Sequence, residues 1–422
     1  MRALIVSCMA LVLAGCGDSG SLPSTAPVIT PGPVAPPTAS PGAKTTHWPL
    51  LLSHAWSRTA GTAFQGDQKQ PGAEYNLYGI KTVLEADGVT VFQPDKLAYA
   101  SHERRGQLLY KKCAGRTIDE ILCQGENPQV VDGVHKATLD YCAAPAQRAR
   151  HGFADEAACQ QGLQFNIICH SQGCADSRYM LAAVENEFSG KLMYHHVASW
   201  TSLAGANKGT AQADVVLEAL AACLTDGCRS AVLDAGFGVD SFSKNQALIL
   251  EGSESVVALT RKYMLHTTDM NCDPATTTCK PSFNMLYPLP EDPTHPILYQ
   301  TFSGRIENIN HPCYAANDRL YWEIVMSREG DNDGNISVNS QMMTTYGPGE
   351  SGPRSPVIAR FITGESRSPS QPHPGLNHMA YNDSDVPGIE GVSCAGEDNS
   401  MFRFSRVALY RQLVAELAAA GY

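Results

Sequence analysis

The run Phe165-Asn166-Ile167-Ile168-Cys169-His170-Ser171-Gln172-Gly173 constrains this chain more than any other stretch, because an apolar segment leads through a serine directly into a helical pattern. A short, continuous apolar segment followed by a helix reads as a strand buried on both faces, as in a parallel sheet covered by helices. A serine at the tight turn between strand and helix holds its hydroxyl out at the sheet edge, the geometry of a nucleophile elbow. Such a turn crowds the positions two before and two after the serine, so both should be small. Gly173 meets this demand, and Cys169, small but not glycine, stands at the other position.

A serine hydroxyl attacks only when a base takes its proton and a carboxylate orients that base. In this strand-turn-helix setting the order along the chain is Ser, then Asp, then His. Asn332-Asp333-Gly334-Asn335-Ile336-Ser337 offers an acid in a turn, and Gly375-Leu376-Asn377-His378 a histidine in a loop. The expected triad is therefore Ser171, Asp333 and His378, with Asp331 and His373 as neighbours that could replace the latter two. Two backbone N–H groups should stabilise the oxyanion. One belongs to Gln172, and the other falls in the loop after the first strand, Leu51-Leu52-Ser53-His54-Ala55-Trp56, where Trp56 is the candidate donor or else a core aromatic. Cys169 or Cys174 as a thiol nucleophile is a weaker rival, sitting beside a better-placed serine.

The rest of the chain supports an α/β fold. Strands are expected at 49–52, 89–92, 165–169, 197–203 and 297–302, and helices at 75–86, after Ser171 with Ser177, Met180, Leu181, Val184 and Phe188 on one face, and at 402–420. Residues 113–160 carry four cysteines and little periodicity, which reads as a disulfide-tied insertion rather than a second domain. The helix-rich segment 211–265 reads either as ordinary packing helices or as a lid.

Ahead of the domain at 46–422 stand two segments of other character. Residues 1–15 have Arg2 as their sole charge and an apolar stretch too short to span a bilayer, as in an export signal, and residues 16–45 form a Pro/Ser/Thr-rich tether. Leu13-Ala14-Gly15-Cys16 resembles the lipobox of bacterial lipoproteins, which implies lipidation at Cys16; an ordinary secretory signal is the alternative. With Gly17 rather than Asp next, an outer-membrane lipoprotein facing periplasm or cell surface is expected, or else a secreted protein. Setting Cys8 and Cys16 aside leaves an even number of cysteines, fitting disulfides in an oxidising compartment, with Cys223–Cys228 and Cys272–Cys279 as plausible local pairs. Zinc is disfavoured because no Cys-x-x-Cys pair or histidine cluster appears. The net charge of −11 and the lack of any basic run argue against a nucleic-acid partner.

Taken in order, several stretches resemble the true triacylglycerol lipases of the Pseudomonas and Burkholderia type: H-A-W at 54–56, Y-G-I-K-T-V-L-E-A-D-G-V-T-V at 78–91, R-R-G-Q-L-L at 104–109, F-N-I-I-C-H-S-Q-G-C-A-D-S-R-Y at 165–179, T-S-L-A-G-A-N-K-G-T at 201–210, N-D-G-N-I-S at 332–337, N-H at 377–378 and Y-R-Q-L at 410–413. The resemblance implies an α/β-hydrolase fold, a mostly parallel sheet flanked by helices with a helical lid, ester hydrolysis of a lipid substrate, and a foldase as a candidate partner. Ala55 and Cys169 depart from the glycines the family has there. The family's structural calcium is not expected here, because Ala380 occupies a ligand position, although Asp318, Asp383 or Asp385 could contribute. The chemistry itself needs no cofactor. A catalytically silent binding protein of the same fold is the rival from another class.

Overall fold

The computed structural model describes residues 45–56, 77–115, 118–125, 129–237, 241–265, 281–310, 314, 316–344, 357–362, 365–366, 375–381, 402–403 and 406–422. The expected signal segment 1–15, nearly all of the expected tether 16–45, Cys16, Cys272, Cys279, His373, Asp383 and Asp385 lie outside the described residues, as does the side chain of Asp318.

Six strands make the central sheet: β1 (Leu50–Ser53), β2 (Val91–Phe92), β3 (Phe165–His170), β4 (Val197–Leu203), β5 (Leu298–Ser303) and β6 (Ile358–Phe361). Their spatial order is β2-β1-β3-β4-β5-β6, and every pairing is parallel. Parallel neighbours need crossover connections, and the helices that supply them cover both faces. The elbow strand β3 is buried along its whole length, as its unbroken apolar run requires.

The two-residue period of the strands sorts side chains into two cores. Leu50, Leu52, Ile168, Leu203 and Phe302 face one way. There they meet Ile80 and Leu84 of α1 (Leu77–Ala86) and Leu409, Leu413 and Leu417 of the last helix, Arg406–Ala419. Leu51, Ile167, Cys169, Trp200 and Tyr299 face the other way, against Leu109 of α2 (His102–Tyr110) and Met180 and Leu181 of α3 (Gln172–Ala183). Val134, Ala137, Tyr141 and Cys142 of the insertion join that second core, and disulfides Cys113–Cys123 and Cys142–Cys159 tie the insertion locally.

Some expected boundaries shift. The second strand is only Val91–Phe92, with Val89 buried ahead of it. Helix α3 ends at Ala183, so Phe188 is not on its face; the Asn186 carbonyl oxygen of the side chain instead accepts from the Phe188 and Ser189 N–H groups and turns the chain. Residues Gln172 to Leu181 are all buried, because this helix is wedged between sheet and helices rather than lying on a surface. The C-terminal segment begins as a short strand, Phe402–Arg403, before its helix. Between β4 and β5, α4 (Ala211–Ala221), α5 (Asp226–Phe237) and α6 (Ile249–Leu259) pack around Val216, Leu233, Phe242 and Val256. Disulfide Cys223–Cys228 closes the tip between α4 and α5, where Leu224 is 92% exposed.

Candidate active site

Ser171 sits between β3 and α3 with φ 55° and ψ −130°, a positive-φ conformation outside the regions a residue with a Cβ ordinarily adopts. The surrounding packing imposes this turn. A Cβ on Gly173 would lie 2.5 Å from the carbonyl oxygens of both Ser53 and His54, so only glycine lets the first turn of α3 rest on the end of β1. At the other crowded position the Cys169 sulfur is bonded to Cys174, three residues beyond the serine. The disulfide straps strand to helix around Ser171, and with both sulfurs oxidised neither cysteine supplies a thiolate.

The structure brings Ser171, His378 and Asp333 together. His378 Nε2 lies 2.8 Å from Ser171 Oγ, and its Nδ1 lies 2.8 Å from Asp333 Oδ2. With Nδ1–H donated to the carboxylate, the Nε2 lone pair faces the serine hydroxyl. Asp333 is fully buried; its other oxygen accepts the N–H groups of Asn335 and Ile336 at 3.0 and 2.8 Å, and its main-chain carbonyl accepts His378 N–H at 2.7 Å. The N-D-G turn shapes this carboxylate: Gly334 takes φ 98°, and the Asn332 side-chain oxygen accepts Gly334 N–H. Asp331, the alternative acid, is exposed and pairs with Arg305 instead. The His378 loop is anchored by Leu376, Ala380 and Tyr381 in the first core, and His170 Nε2–H donates to the His378 carbonyl at 3.0 Å.

The loop 54–56, where the second oxyanion donor is expected, leaves β1 beside the elbow, since Ser53 pairs with Cys169. His54 is buried and its acidity is set by that burial first, then by Lys96 and Arg105, all of which hold its pKa well below 6.5. It is therefore a neutral imidazole. Its Nδ1–H donates to the Ala55 carbonyl at 3.0 Å while its Nε2 accepts Lys96 N–H at 3.1 Å. Arg105 also donates to the Ala55 carbonyl, at 3.0 Å. Because a trans peptide sets C=O and N–H on opposite sides, fixing the Ala55 carbonyl fixes the direction of Trp56 N–H away from Arg105. The Trp56 ring stands edge-on to Tyr99 at 4.8 Å and joins the helical cluster, so the residue is a packing aromatic as well as the candidate donor. Gln172 opens α3, and its side-chain amide donates to the Ala100 carbonyl at 3.0 Å.

Sequence reasoning did not single out four buried residues around this loop: Lys96, Arg105, His102 and Asp176. Only Asp176 carries a signal, a carboxylate five residues beyond Ser171 on a helix buried from Gln172 to Leu181; Lys96, His102 and Arg105 stand beside other charged residues and read as surface positions. Among the described residues no group of three or more His, Cys, Asp or Glu side chains is placed to hold a metal ion. Ala380, two residues after His378, is packed in the first core.

No protein-family model matches the sequence, and no curated protein matches it either. Solved structures do. A metagenomic carboxyl esterase aligns over 98% of this chain and 90% of its own at 14% identity and a TM-score of 0.49. A Staphylococcus hyicus lipase aligns over 91% of this chain and 99% of its own at 14% identity and a TM-score of 0.48. Lipase 1 from Pelosinus fermentans aligns over 88% and 99% at 12% identity and a TM-score of 0.44. The parallel six-stranded order, with the elbow serine at the end of the central strand and the acid and histidine on later loops, defines an α/β-hydrolase fold. Within that class the narrower likeness to Pseudomonas and Burkholderia lipases rests on the sequence stretches alone.

Proposed function

We propose that this chain is an exported serine hydrolase that cleaves carboxylic esters through an acyl-enzyme, with long-chain acylglycerols as the leading substrate class. The observation that carries this reading is the unbroken hydrogen-bond chain from Asp333 through His378 to Ser171 at a strained elbow. Ser171 Oγ attacks the ester carbonyl carbon as His378 Nε2 takes its proton. Asp333 orients the imidazole and stabilises the imidazolium. The N–H groups of Gln172 and Trp56 hold the oxyanion of the tetrahedral intermediate. Its collapse expels the alcohol, which receives the proton from His378, and water then repeats the sequence to release the acid. No step runs through a metal ion, and a foldase would act on folding rather than on this chemistry.

Hydrolysis of p-nitrophenyl esters of short and long acyl chains, by protein lacking residues 1–45 and by its Ser171→Ala variant, tests the reading. Turnover lost in the variant supports a serine esterase. Preference for long chains supports a lipase, and preference for short chains favours the alternative of a short-ester, sterol-ester or polyester hydrolase. A folded protein inert on every ester would leave the silent binding fold as the better reading. The Leu13-Ala14-Gly15-Cys16 motif supports an outer-membrane lipid anchor, so Cys16→Ser should move the protein from the membrane fraction to the soluble fraction; retention in the membrane would refute the anchor.

A further inference from the structure

The fully buried Lys96 and Asp176 take no part in the proton and acyl transfers described above, yet they join the two segments that carry the oxyanion donors. Lys96 lies in the segment that crosses from β2 toward α2. Its Nζ donates to Ser53 Oγ at 2.8 Å, to the His54 carbonyl at 2.9 Å and to Asp176 Oδ2 at 2.8 Å. An ammonium has three N–H donors, and these acceptors use all three. Two belong to the oxyanion loop, and the third belongs to the elbow helix. Ser53 Oγ completes the link by donating to the Gly173 carbonyl at 2.9 Å. Asp176 Oδ2 also accepts from Arg105 Nε at 2.7 Å, and His102 Nδ1 lies 3.4 Å from Oδ1. Gly106 makes this approach of α2 to α3 feasible, since a Cβ there would lie 2.6 Å from the Asp176 carbonyl.

We propose that Lys96 and Asp176 are a positioning pair that locks the oxyanion loop to the elbow helix, holding Trp56 N–H and Gln172 N–H at the spacing the tetrahedral intermediate requires. The proposal rests on the ester-hydrolase reading for its catalytic consequence, but not for the clamp itself. A buried ion pair is a poor device for stability alone, because apolar residues of similar volume serve as well or better. Its advantage is directional: three fixed N–H bonds set an angle and a distance that apolar contact leaves loose. Burial opposes the charge of Asp176, but the Arg105 and Lys96 cations outweigh it and hold the carboxyl well below the usual range. Burial, with Arg105 adding, pushes Lys96 down, against the opposing pull of Asp176.

The test compares wild-type protein with Lys96→Met, which leaves the Asp176 carboxylate paired with Arg105, and with Lys96→Gln, a milder change that serves if the first variant fails to fold. Two readouts are taken: hydrogen–deuterium exchange of the peptide spanning residues 50–56, and kcat and KM on a p-nitrophenyl ester. We expect faster exchange in that peptide in each folded variant. We also expect kcat to fall by at least about tenfold with KM changed by less than about threefold, because a displaced oxyanion donor costs transition-state rather than ground-state binding. A purely structural pair would lower the melting temperature but leave both the peptide's exchange below the transition and kcat as in wild type; that result in a folded variant overturns the proposal. If wild-type protein hydrolyses no ester, the functional reading fails, and the exchange measurement still decides the clamp.

Discussion

Asp331 is exposed and tied to Arg305, whereas Asp333 is buried, accepts two main-chain N–H groups and faces His378. A carboxylate can orient an imidazole only from the second setting, where its other lone pairs are already satisfied and water does not compete. Asp333→Asn should lower kcat by about 10³- to 10⁴-fold, since an amide favours the wrong imidazole tautomer, while Asp331→Asn should stay within about twofold. Steady-state kinetics on one ester would check this, and similar losses in both variants would contradict the assignment. The sequence leaves these two acids open because both occupy the same turn-forming stretch. Tertiary contacts separate them, Arg305 for Asp331 and His378 for Asp333. His170 was equally hidden: a histidine before a serine carries no signal until the His378 carbonyl is brought within 3.0 Å of its ring.

At the scale of elements, the elbow was legible because strand, turn and helix are contiguous and each makes a local demand on residue type. The apolar run, the serine and Gly173 all lie within nine residues, and the reason for Gly173 proves to be the backbone of β1. The Cys169–Cys174 strap was less legible, since a cysteine in place of glycine reads as a tolerated substitution until its partner on α3 is seen. Elements whose limits depend on distant packing were misjudged at their ends. Helix α3 stops at Ala183 because Asn186 side-chain bonds turn the chain, a competition invisible to hydrophobic periodicity. The helices between β4 and β5 were foreseen as a group. Their packing around Phe242 and against Trp56 ties them to the oxyanion loop, which neither the lid nor the plain packing reading anticipates from sequence.

Over the whole molecule, buried neutral histidines make stability fall on acidification. Burial is the leading cause in each case: it holds His54 well below 6.5, lowers His135 and His196, and with His47 and Arg150 brings His151 down to about 4. As pH drops through 6.5 the unfolded chain takes up protons on these residues that the folded protein refuses, so stability declines in that window. Glu251, Glu329 and Asp132, raised by burial, take up protons in the fold above the ordinary carboxylate range and so act in the opposite sense. Thermal unfolding should occur at a lower temperature at about pH 5.5 than at about pH 7 if the histidines outweigh these carboxylates, as we expect; an equal or higher midpoint at the acidic pH would contradict that balance. The chemistry proposed for the molecule turns on one atom, the Ser171 hydroxyl, and is tested most directly by treating the folded protein with a fluorophosphonate and locating the adduct by peptide mass spectrometry. We expect a single adduct on Ser171, formed in wild type and absent after His378→Ala. No adduct, or one on another residue, would contradict the assignment of Ser171 as the nucleophile.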